Sequence, residues 1–402
     1  MLSRLPRIAM SAHSSSAWIL LVIEFLDEFI YGAREAAWPL VRSDLALTYA
    51  QIGVLLGLPR VLSGIAEPFI GILGDIWRRR VLVLGGGIVF ALSLFLTGVS
   101  HSYAWLLISF VLFSPASGAF VSLSQATLMD LQPVRREKAM ARWTFAGSLG
   151  VVLGPMALGL VLAANLGWRT IYVATAIVTV VVLTLVWRMR FLLSAGTEEA
   201  SSLLTVFREV LRGLRRPDVL RWLVLLPFSD LMLDVLLGFL ALYFVDVAGV
   251  STARASIAVA IWTAMGLVSD LLLIRLLDRV DGLVYLRVSA VAELVLFVTL
   301  LLTPHFWAKL VILALLGVFN AGWYAILQAR LYATLPGKSG TVMAVDNIFG
   351  LVGGLLPWGL GVIAENYSLG AAMWLLCAGP LALLFGLPYQ GASTSGVSPE
   401  IG

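Results

Sequence analysis

Long apolar runs alternate with short polar breaks from one end of the chain to the other, and each run is about as long as a bilayer is thick. A hydrocarbon core of about 30 Å needs roughly 20 apolar residues per helix. About twelve runs meet that length, beginning at Ala17, Ala50, Val81, Tyr103, Met140 and Trp168, then at Leu220, Thr252, Leu283, Trp307, Val342 and Leu369. None shows the strict alternation of a half-buried strand. The pattern predicts an all-α membrane protein with twelve transmembrane helices.

The polar breaks carry an orientation signal. Placing alternate breaks on alternate sides gathers Arg78, Arg79, Arg80, Arg135, Arg136, Lys138, Arg188, Arg190, Arg275, Arg279, Arg330 and Lys338 on one side, with Arg4 and Arg7. The other side receives only Arg42, Arg169, Arg254 and Lys309, with Arg34 near it. Basic residues concentrate on the cytoplasmic face, so both termini are expected there, in an inner or plasma membrane. One break is long. Within residues 191–218, Leu203, Val206, Phe207, Val210, Leu211 and Leu214 recur at helical spacing with arginines on other faces. This predicts an interfacial amphipathic helix. It links a six-helix bundle over 17–190 to a second over 219–388. Residues 1–16 read as a cytoplasmic tail, not a cleaved signal peptide, because a full-length span bearing acids follows. The Ser- and Gly-rich segment 389–402 reads as disordered.

The two halves repeat each other. A single shift of 203 residues pairs Asp27 with Asp230, Glu67 with Asp270, Asp75 with Asp278, Gln125 with Gln328 and Pro133 with Pro336, and also Met140 with Met343, Gly147 with Gly350 and Gly150 with Gly353. Only five glutamines occur in the chain, so two of them falling at one offset with Asp and Pro is not a coincidence of composition. Six spans per half give both copies the same orientation, related by a pseudo-two-fold axis along the membrane normal. That is a transporter architecture.

The break after the second span reads Gly71-Ile-Leu-Gly-Asp75-Ile-Trp-Arg78-Arg79-Arg80. It resembles the loop signature Gly-x-x-x-Asp-Arg-x-Gly-Arg-Arg of the major facilitator superfamily, matching at Gly71, Asp75, Arg79 and Arg80 and departing at Ile76 and Arg78. The second copy keeps Asp278-Arg279 and loses the basic pair. In the fifth span, Gly150, Gly154, Pro155 and Gly159 are similar to the antiporter signature Gly-x-x-x-Gly-Pro-x-x-Gly-Gly, with Leu158 in place of a glycine. The stretch Leu47 to Gly53 looks like the fosmidomycin-resistance branch of that superfamily. The resemblance implies alternating access, drug:proton exchange, a gate at Gly71, Asp75, Arg79, Arg80, Asp278 and Arg279, and a helix kink at Gly150, Gly154 and Pro155. Ordinary positive-inside topology would account for the arginines equally well. The glycines independently predict a small-residue face suited to close helix packing.

Charges inside the spans ask for a reason, since each costs roughly 2.5–3.5 kcal/mol at mid-bilayer. Glu24, Asp27 and Glu28 occupy the first span, Arg60 and Glu67 the second, Asp230 and Asp234 the seventh, and Asp270 the eighth. Glu24 and Glu28, and likewise Asp230 and Asp234, stand at i,i+4 and share a helix face. Two carboxylates that close do not both ionise cheaply, which suits proton coupling. Arg60 is the natural partner for an acid of the first span. Acids outnumber cations, so surplus carboxylate points to protons, sodium or a cationic substrate in the pathway. Tyr31, Ser117, Gln125, Asn320, Tyr324 and Gln328 offer neutral hydrogen bonds, with Asp346 and Asn347 as further polar options. Trp262, Trp323 and Trp358 lie within spans and offer cation–π contact, although plain core packing explains a tryptophan there too. Glu293 is placed nearer the periphery.

Composition closes off other classes. The chain is 60% hydrophobic and 12% charged, unlike soluble domains with about 25% charge. Cys377 is the only cysteine and the histidines are His13, His101 and His305, which leaves no disulfide, metal or cofactor site and no nucleic-acid partner in view. No enzyme fingerprint follows a strand. The expectation is a monomeric secondary transporter exporting a small amphiphilic or cationic compound in exchange for protons. The alternatives are proton- or sodium-coupled uptake and a non-transporting membrane scaffold or sensor.

Overall fold

A computed structural model describes residues 5–76, 79–131, 136–188, 216–334, 350–351 and 353–388, and they are helical throughout apart from short turns. In the first half the helices are α1 (Leu5–Leu45), α2 (Tyr49–Ile76), α3 (Arg79–Gly98), α4 (Tyr103–Ser117), α5 (Leu123–Leu131), α6 (Arg136–Ala163) and α7 (Arg169–Arg188). The second half has α8 (Pro217–Asp230), α9 (Leu236–Leu242), α10 (Thr252–Leu277), α11 (Gly282–Leu302), α12 (Phe306–Phe319), α13 (Trp323–Thr334), α14 (Leu356–Asn366), α15 (Leu369–Leu375) and α16 (Ala378–Gly386). Among the described residues, ten stretches are long and apolar enough to cross a membrane. Most predicted starts fall within a few residues of an observed one.

The helix that holds the first predicted span is longer than that span: it begins at Leu5, twelve residues before Ala17 by the numbering. Pro6 sits in its first turn, where a missing N–H costs nothing, and no glycine interrupts the chain before Gly32. Residues 191–215 of the predicted linker 191–218, the tail 389–402, the start of the span at Val342, and Asp346 and Asn347 lie outside the described residues.

Several helix ends are fixed by local chemistry. Ser102, Ser251 and Ser368 cap α4, α10 and α15, their hydroxyls accepting from Trp105, Arg254 and Ala371 N–H. Three π turns widen the helices: Gly118–Ser122 joins α4 to α5, Leu231–Val235 joins α8 to α9, and Tyr243–Val247 follows α9. Such turns favour functional positions because they break the regular hydrogen-bond ladder.

Glycine sets how closely helices approach. A Cβ on Gly154 would lie 2.2 Å from Phe29 O and 2.5 Å from Ala33 N, one on Gly150 would lie 2.6 Å from Phe25 O, and one on Gly32 would lie 2.3 Å from Val151 O. Backbone therefore touches backbone along α1 and α6, with Pro155 inside α6. The same device joins the two halves. Gly53 and Gly57 on α2 meet Pro357, Trp358 and Gly354, while Gly361 on α14 meets Tyr49 O, with Cβ distances of 2.2–2.5 Å to the nearest backbone oxygen.

Candidate substrate and ion pathway

The halves meet over charged and polar side chains in the middle of the spans. Arg60 on α2 reaches across to the second half, its Nη1 donating to Asp230 Oδ2 at 3.2 Å and its Nη2 to Asp234 Oδ2 at 2.9 Å. Tyr31 Oη donates to Asp234 Oδ1 at 3.1 Å. Asp230 immediately precedes the π turn Leu231–Val235 and Asp234 lies within it. Tyr31 and Asp234 stand 203 residues apart, so they are counterparts under the shift that relates the halves, and they touch. The sequence had offered Arg60 to an acid of the first span. Its guanidinium goes instead to the seventh, where the i,i+4 aspartates present two acceptors to one planar fork.

The first-span acids lack that compensation. Glu24 is buried beside Gly147, a Cβ on which would lie 2.6 Å from Glu24 Oε1. Among the described residues neither Glu24 nor Glu28 has an ion pair, and Asp27 receives only the Ser117 hydroxyl, at 3.0 and 3.1 Å from its two oxygens. Ser117 immediately precedes the π turn Gly118–Ser122. One turn before Glu67 on α2, Ser63 Oγ lies 2.7 Å from Ser114 Oγ, and either hydroxyl can donate. Asp270 lies beside Gly322 in the wall of a cavity of about 300 Å³ and has no cationic partner among the described residues.

One buried pair escaped the sequence reading. Glu35, 1% exposed, accepts from Arg34 Nε at 2.9 Å and Nη2 at 2.6 Å, and its other oxygen accepts from Trp38 Nε1 at 2.8 Å. Arg34 also lies over the Tyr31 ring at 4.8 Å. Adjacent residues do not share a helix face, so spacing gives no hint of this pairing.

Away from the termini the halves are tied together. Arg42 Nη1 donates to Asp246 Oδ2 at 3.0 Å, Tyr49 Oη donates to the same oxygen at 2.9 Å, and Tyr49 N donates to Glu365 Oε2 at 2.8 Å. Arg42 also stacks on the Tyr49 ring. None of these residues was singled out as a gate. At the same end Arg169 pairs with Asp44, which also accepts from Trp168 Nε1 at 3.1 Å.

Toward the termini, the side chain of Asp75 and residues 77–78 lie outside the described residues, as does the setting of Gly71. Arg79 is buried and Arg80 Nη2 donates to Trp187 O at 2.5 Å. Asp278 and Arg279 line an open cavity of about 620 Å³. In that loop the charge that pairs is Asp281. It accepts from Arg330 at 2.9 Å and from Leu283 N at 2.8 Å, capping α11. What burial there is pushes its carboxyl up. The Leu283 and Val284 N–H groups and the Arg330 charge outweigh that push and hold it below the usual carboxylate range.

Gln125 Nε2 contacts Met140 Sδ at 3.6 Å and Gln328 is half-buried. Trp323 is fully buried with its Nε1 donating to Ser289 at 2.9 Å. Trp358 is exposed at 48%. Glu293 is not peripheral. It is fully buried, and neither carboxyl oxygen has a hydrogen-bond partner.

Comparison with known proteins gives these features a setting. The chain is 25% identical over 353 residues to the multidrug resistance protein MdtG of Proteus mirabilis, covering 85% of each. Its fold superposes with a TM-score of 0.71 on a bacterial homologue of the human lysosomal transporter Spinster in an inward-facing, unoccupied conformation, at 17% identity and 94% of each chain. A D-xylose–proton symporter aligns with a TM-score of 0.69 at 17% identity, over 92% of this chain and 97% of the other. The profile of the Major Facilitator Superfamily matches residues 17–357. Two helical halves that meet over a mid-span charge network and the length of that match lead to one conclusion: the chain belongs to the Major Facilitator Superfamily and is a transporter, not an enzyme.

Proposed function

We propose that the chain is a twelve-helix transporter of the inner membrane that exports a small amphiphilic or cationic compound in exchange for protons, by alternating access between two six-helix bundles. Counting α1 and the span that the sequence predicts from Val342 with the ten apolar stretches gives twelve. The observation that carries the reading is the imbalance of charge at the seam. Arg60 answers Asp230 and Asp234, while Glu24, Asp27 and Glu28 on the facing helix form no ion pair among the described residues, the nearby Arg34 being bound to Glu35. A carboxylate left uncompensated in a low-dielectric site is costly, so these acids hold protons or await a cation. Protonation of the Asp27 group on one side and deprotonation on the other would supply the coupling. Arg60, released from the aspartates as the halves rock, would report the state of the seam to the second bundle. Arg4 and Arg7 at the N-terminus, with the basic residues of the breaks on the same side, support a cytoplasmic placement of both ends.

The name of the relative MdtG supports export. Uptake by proton symport is the second reading, supported by the fold shared with the D-xylose–proton symporter. Inverted membrane vesicles with an imposed pH gradient separate the two. Export predicts accumulation of a cationic dye inside the vesicles that collapses with a protonophore and is lost in Asp27→Asn. Dye movement that ignores the gradient, or full gradient-driven transport by Asp27→Asn, would remove Asp27 from the mechanism. Sodium dependence would favour a sodium-coupled carrier.

A further inference from the structure

An open groove of about 620 Å³ lies on the second half, where the end of α10 nearer the termini meets α11 and α12. Its wall is Leu272, Leu273, Leu276, Val318 and Phe319, with Ser269 at the deep end and the ring of Tyr285, whose Oη donates to Ala321 O at 3.0 Å. Val268, Leu271 and Leu272 on the same helix are 47–57% exposed. On a helix that crosses the membrane such side chains face hydrocarbon, so the groove opens to lipid. Ser269 precedes Asp278 by nine residues, about 13 Å of helical rise and close to half of a hydrocarbon core of about 30 Å. The groove thus runs the depth of one leaflet. Its mouth is charged. Arg275 in the last turn of α10 and Arg279 just beyond it are exposed, with Asp278 between them. Among the described residues neither guanidinium has an ion pair or a side-chain hydrogen bond, and the Asp278 carboxylate has none either. The other acid of that loop, Asp281, is already taken by Arg330. Two cations against one anion leave a net positive mouth over an apolar slot.

We propose that this groove holds one anionic phospholipid, its phosphodiester bridged by Arg275 and Arg279 and one acyl chain laid along Leu272, Leu276 and Phe319. A guanidinium meets two phosphate oxygens with its planar fork, which a lone ammonium does not. Asp278, an acceptor when ionised, suits a headgroup that carries hydroxyls, such as a glycerol. Any lipid covers the apolar wall; the net charge of the mouth selects among lipids. The same reasoning holds for export and for uptake, so the inference stands apart from the direction of transport.

The test is native mass spectrometry of the purified full chain in detergent, titrated with dioleoylphosphatidylglycerol or with dioleoylphosphatidylcholine, which has the same chains and no net charge. The first phosphatidylglycerol should bind at least tenfold more tightly than the first phosphatidylcholine. Replacing both arginines, Arg275→Gln with Arg279→Gln, should weaken it roughly thirtyfold, about fivefold for each cation lost near a membrane surface. Replacing Arg188→Gln with Arg221→Gln, two exposed arginines at the same end on α7 and α8, should leave it unchanged. Glycerophosphoglycerol, the same headgroup without chains, should not displace the lipid. Equal affinity for the two lipids overturns the proposal. So does an equal loss from both pairs of substitutions, which would leave only the general positive charge of that face. Displacement by glycerophosphoglycerol would make the mouth an anion site that needs no lipid, and overturns it too. The comparison of the two lipids uses the unaltered chain, so it decides the matter even where a substituted chain fails to fold.

Discussion

Replacing Gly57 with alanine tests whether the seam opens and closes. In the structure a Cβ at Gly57 would lie 2.2 Å from the Gly354 carbonyl oxygen, where ordinary contact begins at 3.4 Å. The obstacle is backbone, so no side chain can swing aside, and the two helices must part by about 1.2 Å. Overpacking of this kind costs about 1–3 kcal/mol. The strain falls between halves and not within either, so it need not be met by unfolding; separating the halves relieves it. At about 2 kcal/mol, the closed arrangement at the end away from the termini loses population by roughly thirtyfold. A cysteine placed at Ser43, beside Arg42 and Asp246 in the cavity at that end, in a Cys377→Ser background, reports the change. Gly57→Ala should raise its reaction rate with a membrane-impermeant maleimide at least tenfold, with a native elution profile and melting temperature. An unchanged rate with a lowered melting temperature would refute the reasoning, because it would make the Gly57–Gly354 contact a permanent part of the core.

Three further outcomes follow from the same geometry. Gly154→Ala brings a Cβ within 2.5 Å of backbone on α1 inside a single half and should destabilise the fold by about 1–3 kcal/mol, read by denaturant unfolding, whereas Gly159→Ala, with nothing within 4 Å, should be neutral. Arg60→Gln should cost about 1–3 kcal/mol, the 3–5 of a buried pair discounted for side chains that are 25–47% exposed; adding Asp234→Asn should recover part of the loss, and a purely additive double variant would deny the coupling. Because the Asp281 carboxyl is held below its ordinary value, its bonds to Arg330 and the α11 N-terminus stabilise the fold above the unfolded carboxyl range and are lost as pH falls through the folded value. The melting-temperature difference between the protein and Asp281→Asn should be present at pH 7 and shrink only as the pH falls below the ordinary carboxyl range.

The sequence by itself determined the spans and the duplication, because both are local: about twenty apolar residues match one bilayer thickness, and Asp, Gln and Pro recurring at a shift of 203 need no coordinates to be seen. The close-packing glycines Gly150 and Gly154 were legible for the same reason, small residues at helical spacing being a property of one helix. Partnership was not legible. Which acid Arg60 meets depends on how α2 is rotated and how the halves are docked, so a guanidinium assigned to the first span is found 170 and 174 residues away, on Asp230 and Asp234. Tyr49 with Asp246 and Glu365 brings together residues 197 and 316 apart, and nothing in their local context marks them. The buried carboxyl of Glu293 was also beyond reach, since a missing hydrogen bond is a fact about neighbours. Hydropathy fixes which segments enter lipid; the rotation of each helix about its own axis, set by packing alone, decides which charges face one another there.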